Sequence, residues 1–274
     1  MIEANGVELS TEAFGDPAGP PILLIMGIGA SMLGWEKHFC RMLAGAGRFV
    51  IRYDHRDTGR STTCEPGRPE YTGGDLTDDA VGVLDGLGIS AAHLVGVSAG
   101  GGIAQEVALD SAERVLSLTL MSTSPLVPSV RDLPPPSAEF GRFVSTAEAD
   151  WSSPDSVVDY LVDYHRLLAG SERPFDETGI RDLVRREVER ARDFAAMQNH
   201  DVMSHGEGSV KPLSLVTAPT LVIHGTADPM FPIEHGEALA DEIPGARLLR
   251  LEGAGHGVDR ADRDVVVEAI LDHT

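Results

Sequence analysis

The chain has 274 residues, of which 42% are hydrophobic, enough to furnish a sizeable core and to exclude wholesale disorder. Its formal net charge is −21, so its surface repels phosphate backbones and anionic lipids; neither nucleic acid nor a membrane is expected as a partner. The two cysteines, Cys40 and Cys64, lack C-x-x-C spacing and supply neither a disulfide framework nor a zinc site.

The opening stretch MIEANGVELS has no basic segment followed by an apolar one, so a signal peptide is not expected. Within IEANGVELSTEAF, Asn5-Gly6 between two strand-like runs predicts a hairpin. PPILLIMG is a continuous apolar run ending in glycine, the pattern of a strand buried on both faces. GWEKHFCRMLAGAG reads as a helix with a glycine stop, RFVIRYD as a buried strand, and DLTDDAVGVLDGLGI as a helix with Asp and Thr at its start. AHLVGV, AGGGIAQEVALD and VLSLTLMS follow as strand, helix and strand. The alternation resumes with APTLVIHG, IEHGEALADEI, ARLLRLEG and DRDVVVEAILDH. Such alternation predicts an α/β fold with a mostly parallel central sheet and helices on both faces.

Between the two halves the strand signal disappears. After the proline-rich LVPSVRDLPPPS, SPDSVVDYLVDYHRLLAG reads as a helix capped by Ser153 or Asp155. DETGIRDLVRREVERARDFAAMQNH reads as one long helix rich in i,i+4 charge pairs. The expected organisation is a core over residues 1–125 and 215–274, interrupted by a helical lid over residues 126–214. No run approaches the ~20 apolar residues of a spanning helix. With both thiols taken as reduced, a soluble cytoplasmic protein is expected.

Gly96-Val97-Ser98-Ala99-Gly100 fits G-x-S-x-G, directly after a predicted strand and before a predicted helix. A serine on that sharp turn needs small neighbours; Gly96, Gly100 and Gly102 meet the need. At a helix N-terminus, developing negative charge is favoured. A hydroxyl nucleophile requires a base and an orienting acid. Among ten histidines, His256 stands in a small-residue loop after the last predicted strand. Asp228 stands in the loop after the strand LVIHG. Ser98, Asp228 and His256 then lie at one carboxyl edge of the sheet in the order Ser, Asp, His. The expected oxyanion donors are the Ala99 and Ile28 backbone amides, Ile28 lying in the loop LLIMGIGAS. His55 and His224, at strand ends, border the expected site. The histidines at 38, 165, 200, 205, 235 and 273 read as solvated or lid-surface residues. Asp57 reads as a loop residue paired with Arg56 or Arg60.

These motifs together resemble the α/β-hydrolases, and the resemblance covers Ile2–Pro125 and about Leu215–Thr274. VIRYDHRDTGRST, with Asp57 where most of these proteins have glycine, resembles the aclacinomycin methylesterase family of actinobacterial serine esterases, as do LLIMG and ALDS. That resemblance implies cleavage of a methyl ester on a polyketide-like small molecule by Ser98, His256 and Asp228, with no cofactor and no metal. A small-molecule ester substrate is the expected partner, with a monomer or homodimer expected. Ala99 departs from the methionine usual after the nucleophile, and the lid carries no matching motif. The same triad serves lactonases, cofactor-free perhydrolases of the haloperoxidase type and carbon–carbon bond hydrolases. A small-molecule receptor can also use this scaffold. Serine at position 98 speaks against epoxide hydrolases and dehalogenases, which need an aspartate nucleophile there.

Overall fold

The computed structural model describes residues 1–206 and 209–274. β1 (Ile2–Ala4) and β2 (Val7–Leu9) form the expected hairpin as a separate two-stranded sheet. Asn5 and Gly6 both have positive φ, 46° and 76°, the pattern of a type I′ turn that suits strand twist. β3 (Thr11–Phe14) instead joins the main sheet, antiparallel to the strand Phe49–Tyr53.

The main sheet has seven strands in the order β3-β5-β4-β6-β7-β8-β9. β4 (Pro21–Ile25), β5 (Phe49–Tyr53), β6 (Ala92–Val97), β7 (Val115–Met121), β8 (Thr220–Gly225) and β9 (Arg247–Leu251) run parallel. α1 (Lys37–Gly45), α2 (Gly73–Gly86), α3 (Ala99–Asp110), α8 (Ile233–Glu242) and α9 (Arg263–Leu271) cover the two faces. The period-two alternation of β4 shows why. Leu23 and Ile25 pack with Leu76 and Val83 of α2 and Ile103 and Val107 of α3. Ile22 and Leu24 pack on the other face with Phe39 and Leu43 of α1 and Val266 and Ile270 of α9. A strand buried on both sides must be apolar at every position, and each such side chain contributes roughly 1.5–3 kcal/mol on burial. Strand order reverses between β4 and β6, which opens a crevice at their carboxyl ends.

The residues between β7 and β8 are helical: α4 (Ala138–Thr146), α5 (Pro154–Leu168), α6 (Glu177–Arg190) and the short α7 (Asn199–Val202). α5 and α6 share a small core of Val157, Val158, Leu161, Val162, Val184 and Val188. Ser153 caps α5 by accepting from the Ser156 amide, with Pro154 at the first helical position. Two features differ from the sequence expectation. α4 forms directly after the proline run because Ser137 caps it. The single helix expected over residues 176–200 is broken: α6 ends at Arg190, and Asp193 caps a new 3₁₀ turn over Phe194–Gln198. Cys40 is buried in α1, Cys64 is partly buried, and both are free thiols. Among the described residues no helix is long and apolar enough to cross a membrane.

Candidate active site

Ser98 occupies the turn between β6 and α3 with φ +55°, a conformation that L-residues rarely adopt. The turn is possible only because its neighbours lack side chains. A Cβ on Gly96 would stand 2.2 Å from the Gly100 carbonyl oxygen, and one on Gly100 would stand 2.3 Å from that of Ile25. The third glycine required is Gly101 and not Gly102. A Cβ at 101 would press within 2.6 Å of Thr123, whereas one at 102 would meet only Leu126 at an ordinary 3.7 Å. The turn is strapped to the end of β7: the Ser98 amide donates to Met121 O (2.9 Å), and Thr123 Oγ1 donates to Ser98 O (2.7 Å).

Asp228 follows β8 and is buried. Its Oδ1 accepts from the Met230 and Phe231 amides, both at 2.9 Å. Its Oδ2 accepts from His256 Nδ1 at 2.8 Å. Burial works to raise the Asp228 pKa, but the His256 charge and hydrogen bond, with the Phe231 amide, hold it below the ordinary carboxylate value. An ionised carboxylate can only accept, so Nδ1 of His256 carries the proton and Nε2 is left as the basic nitrogen. Ser98 and His256 are brought to the same place by the segment after β7. Ser122, itself at φ +43°, accepts from the Gly257 amide (2.9 Å) next to His256, and it stands between Met121 and Thr123, which bond the Ser98 backbone. Among the described residues no hydrogen bond yet joins the Ser98 hydroxyl to His256.

The Gly27–Ser31 loop runs beside the serine. A Cβ on Gly27 would lie 3.3 Å from Ser98 Cβ. Among the described residues the Ile28 and Ala99 amides make no hydrogen bond, so both remain free to donate. His55 and His224 do border the site, as backbone props. His55 Nε2 donates to Met26 O (2.8 Å) and His224 Nε2 to Phe231 O (2.7 Å). Burial lowers both of their pKa values.

Three sequence expectations are corrected here. His200 is buried, with Nδ1 on the Gly29 amide (2.7 Å) and Nε2 on Arg56 O (2.9 Å). His235 is also buried and bonds Ser124 and Pro134 O. Asp57 makes no pair with Arg56 or Arg60; Arg56 pairs with Asp79 instead. Asp57 accepts from the Cys64 amide, the Tyr71 hydroxyl and Asn199 Nδ2. The helices between β7 and β8 also reach the loops that carry Ser31 and His256. Leu168 O at the end of α5 accepts from the His256 amide (2.7 Å), and Glu187 of α6 accepts from the Ser31 amide and hydroxyl. No local pattern marks Asn199, His200 or Glu187, because their partners lie more than 100 residues away. Among the described residues no group of three or more His, Cys, Asp or Glu is placed to hold a metal.

A parallel sheet with a strained serine turn, and an Asp–His pair at the same edge, defines a class of hydrolytic enzymes, and the comparisons bear this out. Residues 20–258 match the α/β-hydrolase fold family, and the chain belongs to it. It is 38% identical over 295 aligned positions to rhodomycin D methylesterase DnrP of Streptomyces peucetius, covering all of this chain and 97% of that protein. It is 37% identical, with the same coverage, to rhodomycin D methylesterase DauP of Streptomyces sp. (strain C5). The resemblance to the methylesterase family is thereby supported. Among solved structures, the fold matches the meta-cleavage product hydrolase CumD of Pseudomonas fluorescens IP01 with a TM-score of 0.78 at 22% identity, over 99% of this chain and 96% of that one. It matches the enol-lactonase of Burkholderia xenovorans LB400 with a TM-score of 0.71 at 23% identity, over 98% and 97%.

Proposed function

We propose that this chain is a serine hydrolase that cleaves a carboxylic ester on a polyketide-like small molecule, with a methyl ester as the preferred target. The observation that carries the reading is the 2.8 Å Asp228–His256 hydrogen bond at the edge where Ser98 is held at φ +55°. His256 Nε2 removes the hydroxyl proton as Ser98 Oγ attacks the ester carbonyl. The oxyanion of the tetrahedral intermediate is met by the Ile28 and Ala99 amides, both otherwise uncommitted. The intermediate collapses, His256 returns its proton to the leaving alkoxide, and an alcohol departs. Water then attacks the acyl-enzyme with the same histidine as base, releasing the acid. Asp228 stays ionised throughout and holds the imidazole in the tautomer that leaves Nε2 basic. No step calls for a cofactor or a metal, and the free thiols suit a reducing cytoplasm.

The names of the two Streptomyces relatives support a methyl ester as the target. An aromatic series links α4 and α5. Phe140 and Phe143 lie against Tyr164, Phe143 stacks on Tyr160, and Trp151 meets Tyr160.

The first test is a p-nitrophenyl ester series of increasing chain length, with Ser98→Ala and Asp228→Asn beside the wild type. Ser98→Ala is expected to lower kcat by roughly 10³–10⁶, and Asp228→Asn by about 10⁴. Methanol release from aromatic methyl esters then measures the preferred leaving group. A folded Ser98→Ala protein with unchanged ester activity would refute the reading.

A further inference from the structure

We propose that His200, carried by the helical region between β7 and β8, is a positioning residue for the oxyanion loop, fixing the Gly29 peptide so that Ile28 remains the loop's uncommitted donor beside Ser98. The inference rests on the serine-hydrolase reading above. His200 is almost wholly buried, at 4% exposure. A backbone amide can only donate, so the 2.7 Å contact from Gly29 N requires a bare Nδ1. The proton then sits on Nε2 and is donated to Arg56 O. The ring is further clamped edge-on by His55 and Tyr71, with centroids 6.1 and 6.2 Å away. The adjoining Asn199 is fully buried and anchors the same helix: it donates to Asp57 and Glu65 O and accepts from Gly67 N.

The loop is thus held at three points. His55 binds Met26 O, His200 binds Gly29 N, and Glu187 binds Ser31 N. Two of these props come from the region between β7 and β8. The Ile28 amide lies between the first two and is engaged by neither. Gly29 has φ +74°, so without its acceptor this peptide is free to reorient. Oxyanion stabilisation depends on donors already aimed before charge develops, and small misplacements are costly.

The test compares His200→Phe, His200→Asn and His200→Gln with the wild type on p-nitrophenyl butyrate, and measures inhibition by an alkyl trifluoromethyl ketone, which forms a charged tetrahedral adduct with the serine. Asn places an acceptor where Nδ1 stands and can serve Gly29. Gln reaches the Nε2 position and can serve only Arg56. The expected result is a kcat loss of about 10²-fold for Phe and Gln, with KM within about twofold and trifluoromethyl ketone affinity weakened in parallel. Asn should restore most of both. If Phe does not fold, the Asn–Gln contrast decides. Equal behaviour of Asn and Gln, a kcat unchanged in Gln, or a loss confined to KM would each overturn the inference. Failure of the underlying reading shows separately, as ester activity that survives in Ser98→Ala.

Discussion

Asp57 has φ +61°, where glycine would sit without strain, yet it is fully buried and spends its carboxylate on an amide, a phenol and the Asn199 side chain. The carboxylate burdens Tyr71: burial, then the hydrogen bond from its hydroxyl to Asp57, raises the phenol's pKa far above its ordinary value. Asp57→Gly removes a backbone cost of about 1 kcal/mol but strands two buried donors at about 1–3 kcal/mol each. The variant should therefore be less stable, by roughly 1–5 kcal/mol, in urea unfolding; equal or greater stability would show the network to be idle. Residues whose role is written in local backbone demand were legible in the sequence. Gly96 and the Asn5-Gly6 turn are of this kind, because sterics within a few residues decide them, whereas Gly101 was read as Gly102 because its constraint, Thr123, lies 22 residues on. Asp228 and His256 were legible through strand-end position. His200, Asn199 and the true partners of Asp57 were not, because each is decided by a surface that only the folded chain brings up.

α6 has a strongly charged sequence and would pass for a solvated helix, but its last turn is bonded to the core. Arg190 pairs with the buried Asp54 at 2.7 Å, and Glu187 meets Ser31. This explains why the helix stops where it does. Continuing the regular pattern through Arg192 and Asp193 would forgo the Arg192 amide's bond to Gly59 O and the cap that Asp193 makes. A periodicity argument sees charge pairs continuing and cannot see the anchor. Burial pushes the Glu187 pKa up to about 7, against the pull of the Ser31 donors. The folded value lies above the unfolded one, so the fold favours the protonated carboxyl. Its stabilising contribution is complete below about pH 4.5 and is lost as pH rises through about 7. His200, lowered to about 3 chiefly by burial, slopes the other way: its contribution is present above pH 6.5 and falls as pH drops toward 3. Melting temperatures of Glu187→Gln and wild type should therefore diverge between pH 4.5 and 7, the variant gaining relative stability by no more than about 3 kcal/mol. Parallel curves would show that Glu187 does not titrate in this window.

At the scale of the whole molecule, 43 acidic residues face 22 basic ones. Exposed ion pairs such as Arg166–Glu177 and Arg250–Glu237 are screened by solvent and contribute little, so uncompensated repulsion among the remaining carboxylates dominates. Raising sodium chloride from about 0.05 to 0.5 M shortens the screening length severalfold and should raise the melting temperature by a few degrees. A fall would mean that the ion pairs outweigh the repulsion. The fold at this scale was the most legible part of the chain, because six apolar strands alternating with five amphipathic helices admit few topologies. The edge strand β3 was not, because its residues Thr11–Phe14 are only half buried and carry no signal that separates a third hairpin strand from an antiparallel neighbour of β5.

The site is drawn from both sides of the helical region that parts β7 from β8, and this has a consequence in time. The serine turn, its glycines and the strap after β7 are complete by residue 123, whereas the base stands roughly 130 residues later. At about 5–20 residues per second, a growing chain carries its nucleophile turn for on the order of ten seconds before a base is synthesised. If Ser98 and His256 act as proposed, the serine has no base during that interval. On the proposed triad, the acid and base arrive only with the loops after β8 and β9, so a chain stopped short of His256 is expected to be a silent protein and not a leaky hydrolase.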